Sequence, residues 1–239
     1  MPYRSLTVKE LAQMIGADAR RLERMAQRGE IPCQKVGGEL RFNRAEITEW
    51  LQQNMGTMTG DHLAEVDAGM TAQRQKPQNE AIVRPLLRPE AVTVQLNSRG
   101  KNSLLRELVG LAVQTGLVYD EHALLEAVMA REEMHSTAMG GGIAIPHPRR
   151  PLPYEIADSV LVVAKVSRGI VFGAPDGKLT DLFFLTASQD DVHHLHILAR
   201  LCRMLHDDDW VERLHGCETN GEMIDLLTER EEQVIVESA

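Results

Sequence analysis

The 239-residue chain has no apolar run approaching the roughly 18 residues that a membrane span requires; its longest, Val160 to Val166 and Leu182 to Ala187, are strand-sized. The first residues, Met1-Pro-Tyr-Arg-Ser-Leu-Thr7, lack the apolar centre of a secretory leader, so the expected location is the cytoplasm, without membrane association. Cysteine is scarce. Cys33, Cys202 and Cys217 are odd in number and have no paired spacing, which excludes a disulfide framework and a zinc ribbon and leaves three free thiols. What the chain does hold is ordinary for a globular protein: 43% hydrophobic residues, enough for one large domain or two.

The net charge of −9 divides unevenly. Residues 1–54 carry nine Lys and Arg against seven Asp and Glu, a net +2, so the remainder carries −11. A small unit that approaches phosphates, joined to a larger one that does not, fits this asymmetry. In the basic unit, Leu6 to Ile15 shows helical spacing, opened by a capping box of Thr7 and Glu10 and closed at Gly16. After a short turn, Ala19 to Arg28 puts Leu22, Met25 and Ala26 on one face and Arg20, Arg21 and Arg24 on the others, as the second helix of a helix-turn-helix does. Gly37-Gly38 predicts a hairpin between Cys33–Val36 and Glu39–Phe42, and Asn43 caps a helix ending near Gln53. This stretch, through Glu49-Trp-Leu51, resembles the excisionase-type, MerR-related winged helix-turn-helix family. The resemblance implies DNA binding through Arg20, Arg21 and Arg24, with Lys35 and Arg41 on the wing. Glu23, Glu30 and Glu39 interrupt the basic surface, so binding is expected to be weak and to need dimerisation or a partner.

Residues 55–85, rich in Gly, Thr, Gln, Asp and Met and without a sustained period, read as a flexible linker. Beyond it the pattern alternates. A strand is expected at Val92–Leu96, helices at Ser103–Thr115 and Asp120–Arg131, strands at Ile143–Ile145, Ser159–Val166 and Asp181–Ala187, and helices at Val192–Leu205 and Gly221–Glu229. This is the alternation of an α/β layer fold. Within it, Gly140-Gly-Gly-Ile-Ala-Ile-Pro-His147 combines a glycine turn with exposed N–H groups, a short strand and a histidine held behind a proline.

The run from Arg131-Glu through Ser136-Thr137 and the glycine turn to Ala144-Ile-Pro-His147 resembles the phosphorylation site of the type 2 enzyme IIA domains of the phosphoenolpyruvate-dependent phosphotransferase system, in the mannitol, fructose and nitrogen-regulatory branch. The similarity extends over residues 86–239 and implies an α/β sandwich with a mixed sheet flanked by helices. By that resemblance His147 accepts a phosphoryl group from HPr or its nitrogen-branch relative, Arg131 supports the transferred group, and a second histidine stands close by. In His193-His194-Leu195-His196, helical counting puts His194 on the face of Leu198, Leu201 and Leu205, whereas His196 shares its face with Arg200 and Arg203 and is expected in solvent. His194 is therefore assigned and His193 is its substitute. Ser136 and Thr137 either donate to the phosphate or cap a turn. No cofactor and no metal is expected, because no His-x3-His or Cys pair fixes a zinc geometry and the family uses none. His62, His122, His135, His206 and His215 receive no partners.

Three functions compete on these residues. The first is a phosphorylation-responsive regulator in which His147 controls a DNA-binding head or a partner protein, a phosphoryl carrier in chemistry but no turnover enzyme on a small molecule. The second is a sugar-transport carrier passing phosphate from HPr to a IIB component. The third is a scaffold that has kept only the fold; intact Arg131, His147 and His194 speak against it.

Overall fold

A computed structural model describes residues 5–75, 77 and 79–237; Met1 to Arg4 of the leader reading lie outside them. The chain opens with β1 (Ser5–Leu6), α1 (Val8–Ile15), α2 (Ala19–Gln27), β2 (Gln34–Val36), β3 (Glu39–Asn43) and α3 (Arg44–Asn54). Local chemistry sets these boundaries. The Thr7 hydroxyl accepts from the Glu10 amide and the Glu10 carboxylate accepts from the Thr7 amide, as the capping box predicts. Asp18 and Asn43 cap α2 and α3 in the same sense. The β2–β3 hairpin turns through Gly37 and Gly38 at positive φ, and β3 pairs with β1 on its other edge.

The expected flexible linker is corrected by the structure. After a single 3₁₀ turn at Met55–Thr57, residues Gly60–Gln73 form helix α4. Leu63, Val66 and Met70 repeat at helical spacing and are buried, and the polar composition of the opposite face concealed them. Gly16 and Gly69 explain how closely α1 lies on α4. A Cβ on Gly16 would collide with the Glu65 carbonyl, and one on Gly69 with the Gly16 amide. Arg21 of α2 reaches Glu65 of α4 at 2.5 Å.

The larger unit follows as β4 (Val92–Leu96), α5 (Lys101–Gln114), α6 (Glu121–Met134), β5 (Ala138–Gly140), β6 (Ile143–Ala144), β7 (Val160–Ile170), β8 (Thr180–Ala187), α7 (Asp191–Met204), α8 (Asp208–Gly216) and α9 (Asn220–Val236). Its sheet has the order β4-β7-β8-β6-β5. β4 and β7 are parallel, as are β6 and β8, while β7–β8 and β5–β6 are antiparallel, which makes the sheet mixed. Strand alternation sorts the core into two layers. Val160, Val162, Phe183 and Leu185 face α5 and α6, whereas Leu161, Val163, Leu182 and Phe184 face the α7–α9 side. On that second side the apolar core runs on through α4 into the helix-turn-helix.

Between α4 and α7 lies a second departure from expectation. His196, Arg200 and Arg203 do not point to solvent, because α4 covers their face. Asp67 of α4 accepts from Arg200 Nε at 2.8 Å and Arg203 Nη1 at 3.3 Å, and stands 3.2 Å from His196 Nε2; Arg200 also pairs with Glu231 of α9 at 3.1 Å. Burial alone would raise the Asp67 carboxyl, but hydrogen bonds from His196 and Arg200 and the guanidinium charge outweigh it and hold the group below its ordinary value.

Candidate phosphoryl-acceptor site

His147 is presented by backbone ties on both sides. The Ile145 amide donates to the Thr137 carbonyl at 3.1 Å and the Thr186 amide donates to the Pro146 carbonyl at 3.0 Å, so the segment beyond β6 is held between β5 and β8. The glycine turn sits at the far end of that segment. Its three residues all have positive φ, which explains the need for glycine, but the Gly141 amide donates to Asp176 Oδ2 at 3.0 Å. The turn shapes the β5–β6 hairpin and does not cradle a group on His147, a correction to the expectation of free N–H donors.

Ring chemistry follows from one contact. His147 Nδ1 lies 2.7 Å from the Ile145 carbonyl, which can only accept, so Nδ1 carries the proton. Burial, then the His194 ring, then Arg131 push the imidazole well below its ordinary pKa, and the ring is neutral. Nε2 therefore keeps its lone pair. It is buried and, among the described residues, has no hydrogen-bond partner.

His194 stands at the first turn of α7, with its ring 5.2 Å from that of His147 between centroids, as helical counting expected. Its Nε2 is likewise buried and unpartnered among the described residues, and burial, Arg131 and His193 lower its pKa to about 4. His193 turns away and meets the Ser159 hydroxyl at 3.0 Å. Arg131, 4% exposed at the end of α6, anchors one Nη on the His135 carbonyl at 2.7 Å and lines the same cavity as His147, of about 180 Å³. Burial lowers its pKa and Glu132 and Glu49 counter it; an arginine keeps its charge through such shifts. Ser136 and Thr137 are structural ties: Ser136 donates to the Phe172 carbonyl at 2.7 Å and Thr137 to Glu132 at 2.6 Å, with Lys101 on the other Glu132 oxygen at 2.7 Å.

Sequence reasoning missed what lies over this cavity. Gln52, Gln53, Met55, Gly56 and Thr57, from α3 and the 3₁₀ turn, line it with Arg131 and His147. It also missed His215, whose ring bridges Asp181 Oδ2 at 3.1 Å and the Gly141 carbonyl at 3.0 Å; the Asp181 contact raises its pKa. Neither arrangement leaves a periodic signal, since both join residues far apart in the chain.

The buried histidines make stability depend on pH with a defined sign. In the unfolded chain His194 protonates near 6.5, and in the folded chain only near 4. As pH falls through that window the unfolded state binds the proton and the folded state does not, so stability drops by up to about 3 kcal/mol from His194. Urea midpoints are expected to fall between pH 7 and pH 5, and to fall less in His194→Gln. An identical pH dependence in the variant would refute the assignment.

The helix-turn-helix residues divide by environment. Arg20, Arg24 and Lys35 are exposed. Arg41 pairs with Glu39 at 2.8 Å, and Arg21, committed to Glu65, is partly covered by α4.

A helix-turn-helix packed on an α/β sandwich, with a neutral histidine nitrogen that has no partner among the described residues beside a buried arginine and a second histidine, defines the class. Residues 85–230 match the family described as phosphoenolpyruvate-dependent sugar phosphotransferase system, EIIA 2, and the chain belongs to that family; residues 5–55 match a helix-turn-helix domain. The chain is 35% identical over 134 residues to a nitrogen regulatory protein of Bradyrhizobium diazoefficiens, covering 55% of this chain and 84% of that one. It is 26% identical over 148 residues to the fructose-specific EIIABC component of Bacillus subtilis, covering 61% of this chain but 23% of that one. In fold it is similar to the nitrogen regulatory protein IIA-Ntr from Neisseria meningitidis, with a TM-score of 0.55 at 23% identity, covering 62% of this chain and 99% of that one. It is also similar in fold to the Escherichia coli enzyme IIA for mannitol in its complex with phosphorylated IIB, with a TM-score of 0.53 at 22% identity, covering 59% and 95%. These relationships support a phosphotransferase-type phosphoryl carrier or regulator. Among the described residues no helix is long and apolar enough to cross a membrane.

Proposed function

We propose that the protein is a phosphorylation-responsive regulator whose His147 accepts a phosphoryl group from the phosphohistidine of an HPr-type carrier in the cytoplasm and whose head, residues 1–54, binds DNA. The observation that carries the acceptor role is the pairing of Nδ1–H with the Ile145 carbonyl, which leaves a buried Nε2 lone pair without a partner among the described residues. In the transfer, the donor's phosphorus–nitrogen bond breaks and its electron pair stays on the donor imidazole. A new bond forms from His147 Nε2 to phosphorus. The proton stays on Nδ1, hydrogen-bonded to the Ile145 carbonyl, so the phosphorylated ring carries one positive charge beside the phosphoryl oxygens and nothing is oxidised or reduced. Arg131 offsets the charge on the equatorial oxygens, and neutral His194 can donate one hydrogen bond to them.

The residues 86–239 form the accepting unit in this reading. Incubation with phosphoenolpyruvate, enzyme I and an HPr-type donor is expected to place acid-labile phosphate on the peptide containing His147; label elsewhere, or none, would overturn the acceptor role. The second reading, onward transfer to a IIB component, draws on the similarity to the mannitol IIA solved with phosphorylated IIB. It predicts that a IIB protein discharges the labelled chain.

For the head, exposed Arg20 and Arg24 on α2 and Lys35 on the wing supply phosphate contacts, with Arg41 and Arg21 contributing once freed from Glu39 and Glu65. The full chain is expected to shift promoter DNA at low salt, weakly as a monomer. Replacing Arg20 and Arg24 together by alanine should flatten the dependence of log K on log salt by about 2. A slope unchanged from wild type would remove these residues from the interface.

A further inference from the structure

The phosphoryl-acceptor site is closed by the chain itself. His147 is 3% exposed and its Nε2 is inaccessible, yet transfer from a protein donor requires the donor's phosphorus to reach that nitrogen in line. The cover is the end of α3 and the 3₁₀ turn after it. Met55 is buried in the shared core, and the Gly56 backbone comes so close to the Met139 side chain of β5 that a Cβ there would stand 3.0 Å from Met139 Cγ. Gln52 donates to the Arg149 carbonyl at 3.5 Å, two residues past His147, and Glu49 holds the Arg149 guanidinium at 2.6 Å. The field of Glu49 also reaches Arg131. The cover thus pairs with Arg149 through Glu49 and sets the same carboxylate's charge against Arg131, the cation beside Nε2.

We infer that the end of α3, with the turn after it, is the resident occupant of the phosphocarrier-docking face, so that its docking and phosphorylation of His147 exclude one another. The inference rests on the acceptor reading and adds its control. The cavity of about 180 Å³ between head and site has room for a phosphoryl group but not for a carrier protein, so the donor must first displace α3. A phosphoryl group then carries about −1.5 to −2 charges, repels Glu49 and draws Arg131 and Arg149 to itself. Helix α4 stays on α7 through Asp67 with Arg200 and Arg203, and α1 and α2 stay on α4 through the Gly16–Gly69 approach and Arg21–Glu65, so the part displaced is α3 with the turn after it. Arg20, Arg24 and Lys35 face solvent in the closed form, so what phosphorylation changes is the position of α3, not the exposure of these cations.

The full-length chain carries a reporter of opening. Cys202 of α7 lines the cavity under the cover, buried, with burial pushing its thiol up to about 12. Two measurements test the inference: the initial rate of phosphorylation by the HPr-type donor, and the alkylation of Cys202 by iodoacetamide, read by peptide mass. In Glu49→Arg, which sets like charges against Arg149 and Arg131, both rates are expected to rise at least three-fold. In the wild type, alkylation of Cys202 is expected to rise by a similar factor once His147 is phosphorylated. Equal phosphorylation rates in wild type and Glu49→Arg, with Cys202 equally slow in both and in the phosphorylated wild type, would overturn the occlusion and leave the acceptor role standing. Absence of phosphate on His147 in both chains would instead overturn the acceptor role, and the control built on it.

Discussion

His147→Ala is expected to lose all acid-labile phosphate while keeping its fold. Among the described residues the ring's hydrogen bond is from Nδ1 to the Ile145 carbonyl, and the surrounding backbone is tied through Thr137 and Thr186, so the main chain stays in place without it. Nothing replaces Nε2. His194 is near, but its own transfer chemistry would start from a ring 5.2 Å away at the head of another helix. Two companions calibrate the result. Arg131→Ala removes the charge that in the proposed transfer meets the equatorial oxygens, and should slow transfer by about 10²-fold, the scale of losing one preorganised donor. His194→Ala should slow it by about ten-fold, because a neutral imidazole contributes a hydrogen bond and no charge. Time courses of label on wild type and the three variants decide it. Equal labelling of wild type and His147→Ala would remove the acceptor role, and unchanged rates in the other two would remove theirs.

The second large effect is on stability. Asp67→Ala is expected to cost about 3 to 5 kcal/mol, the range for breaking a buried ion pair from one side. Asp67 is 2% exposed, and its carboxylate is shared by Arg200, Arg203 and His196. Removing it leaves Arg200 with Glu231 as its remaining carboxylate among the described residues, and deprives Arg203 of its 3.3 Å pair with Asp67. For a chain of this size the melting temperature should fall by about 10 °C. Asp67→Asn keeps the shape and loses the charge, and should fall between the two. A melting temperature within 2 °C or so of wild type for Asp67→Ala would show that α4 is not pinned to α7 by this network.

Much of this protein is legible without coordinates where the information is local. Caps, turns and period-two strands are written within a few neighbouring residues: Thr7 with Glu10, Gly37-Gly38 and Asn43 in the head, Val92–Leu96 and Asp181–Ala187 in the sandwich. The acceptor motif is also contiguous, so His147 and Arg131 stand out, and helical counting was enough to turn His194 inward.

Counting failed where burial depended on a distant partner. His196, Arg200 and Arg203 form a polar stripe that any amphipathic reading sends to solvent, and they are buried because Asp67, some 130 residues earlier, covers them. Helix α4 itself was hidden for the reciprocal reason: its polar residues looked like a linker until α7 supplied their partners. By itself the sequence determined the two kinds of unit, the caps and turns named above and the histidine proposed as acceptor, because these follow from short-range sterics and hydrogen bonding. Only the tertiary structure decided that α4 is a helix locked to α7 and that α3 lies across His147. Contacts between far-separated segments leave no periodic trace in one sequence.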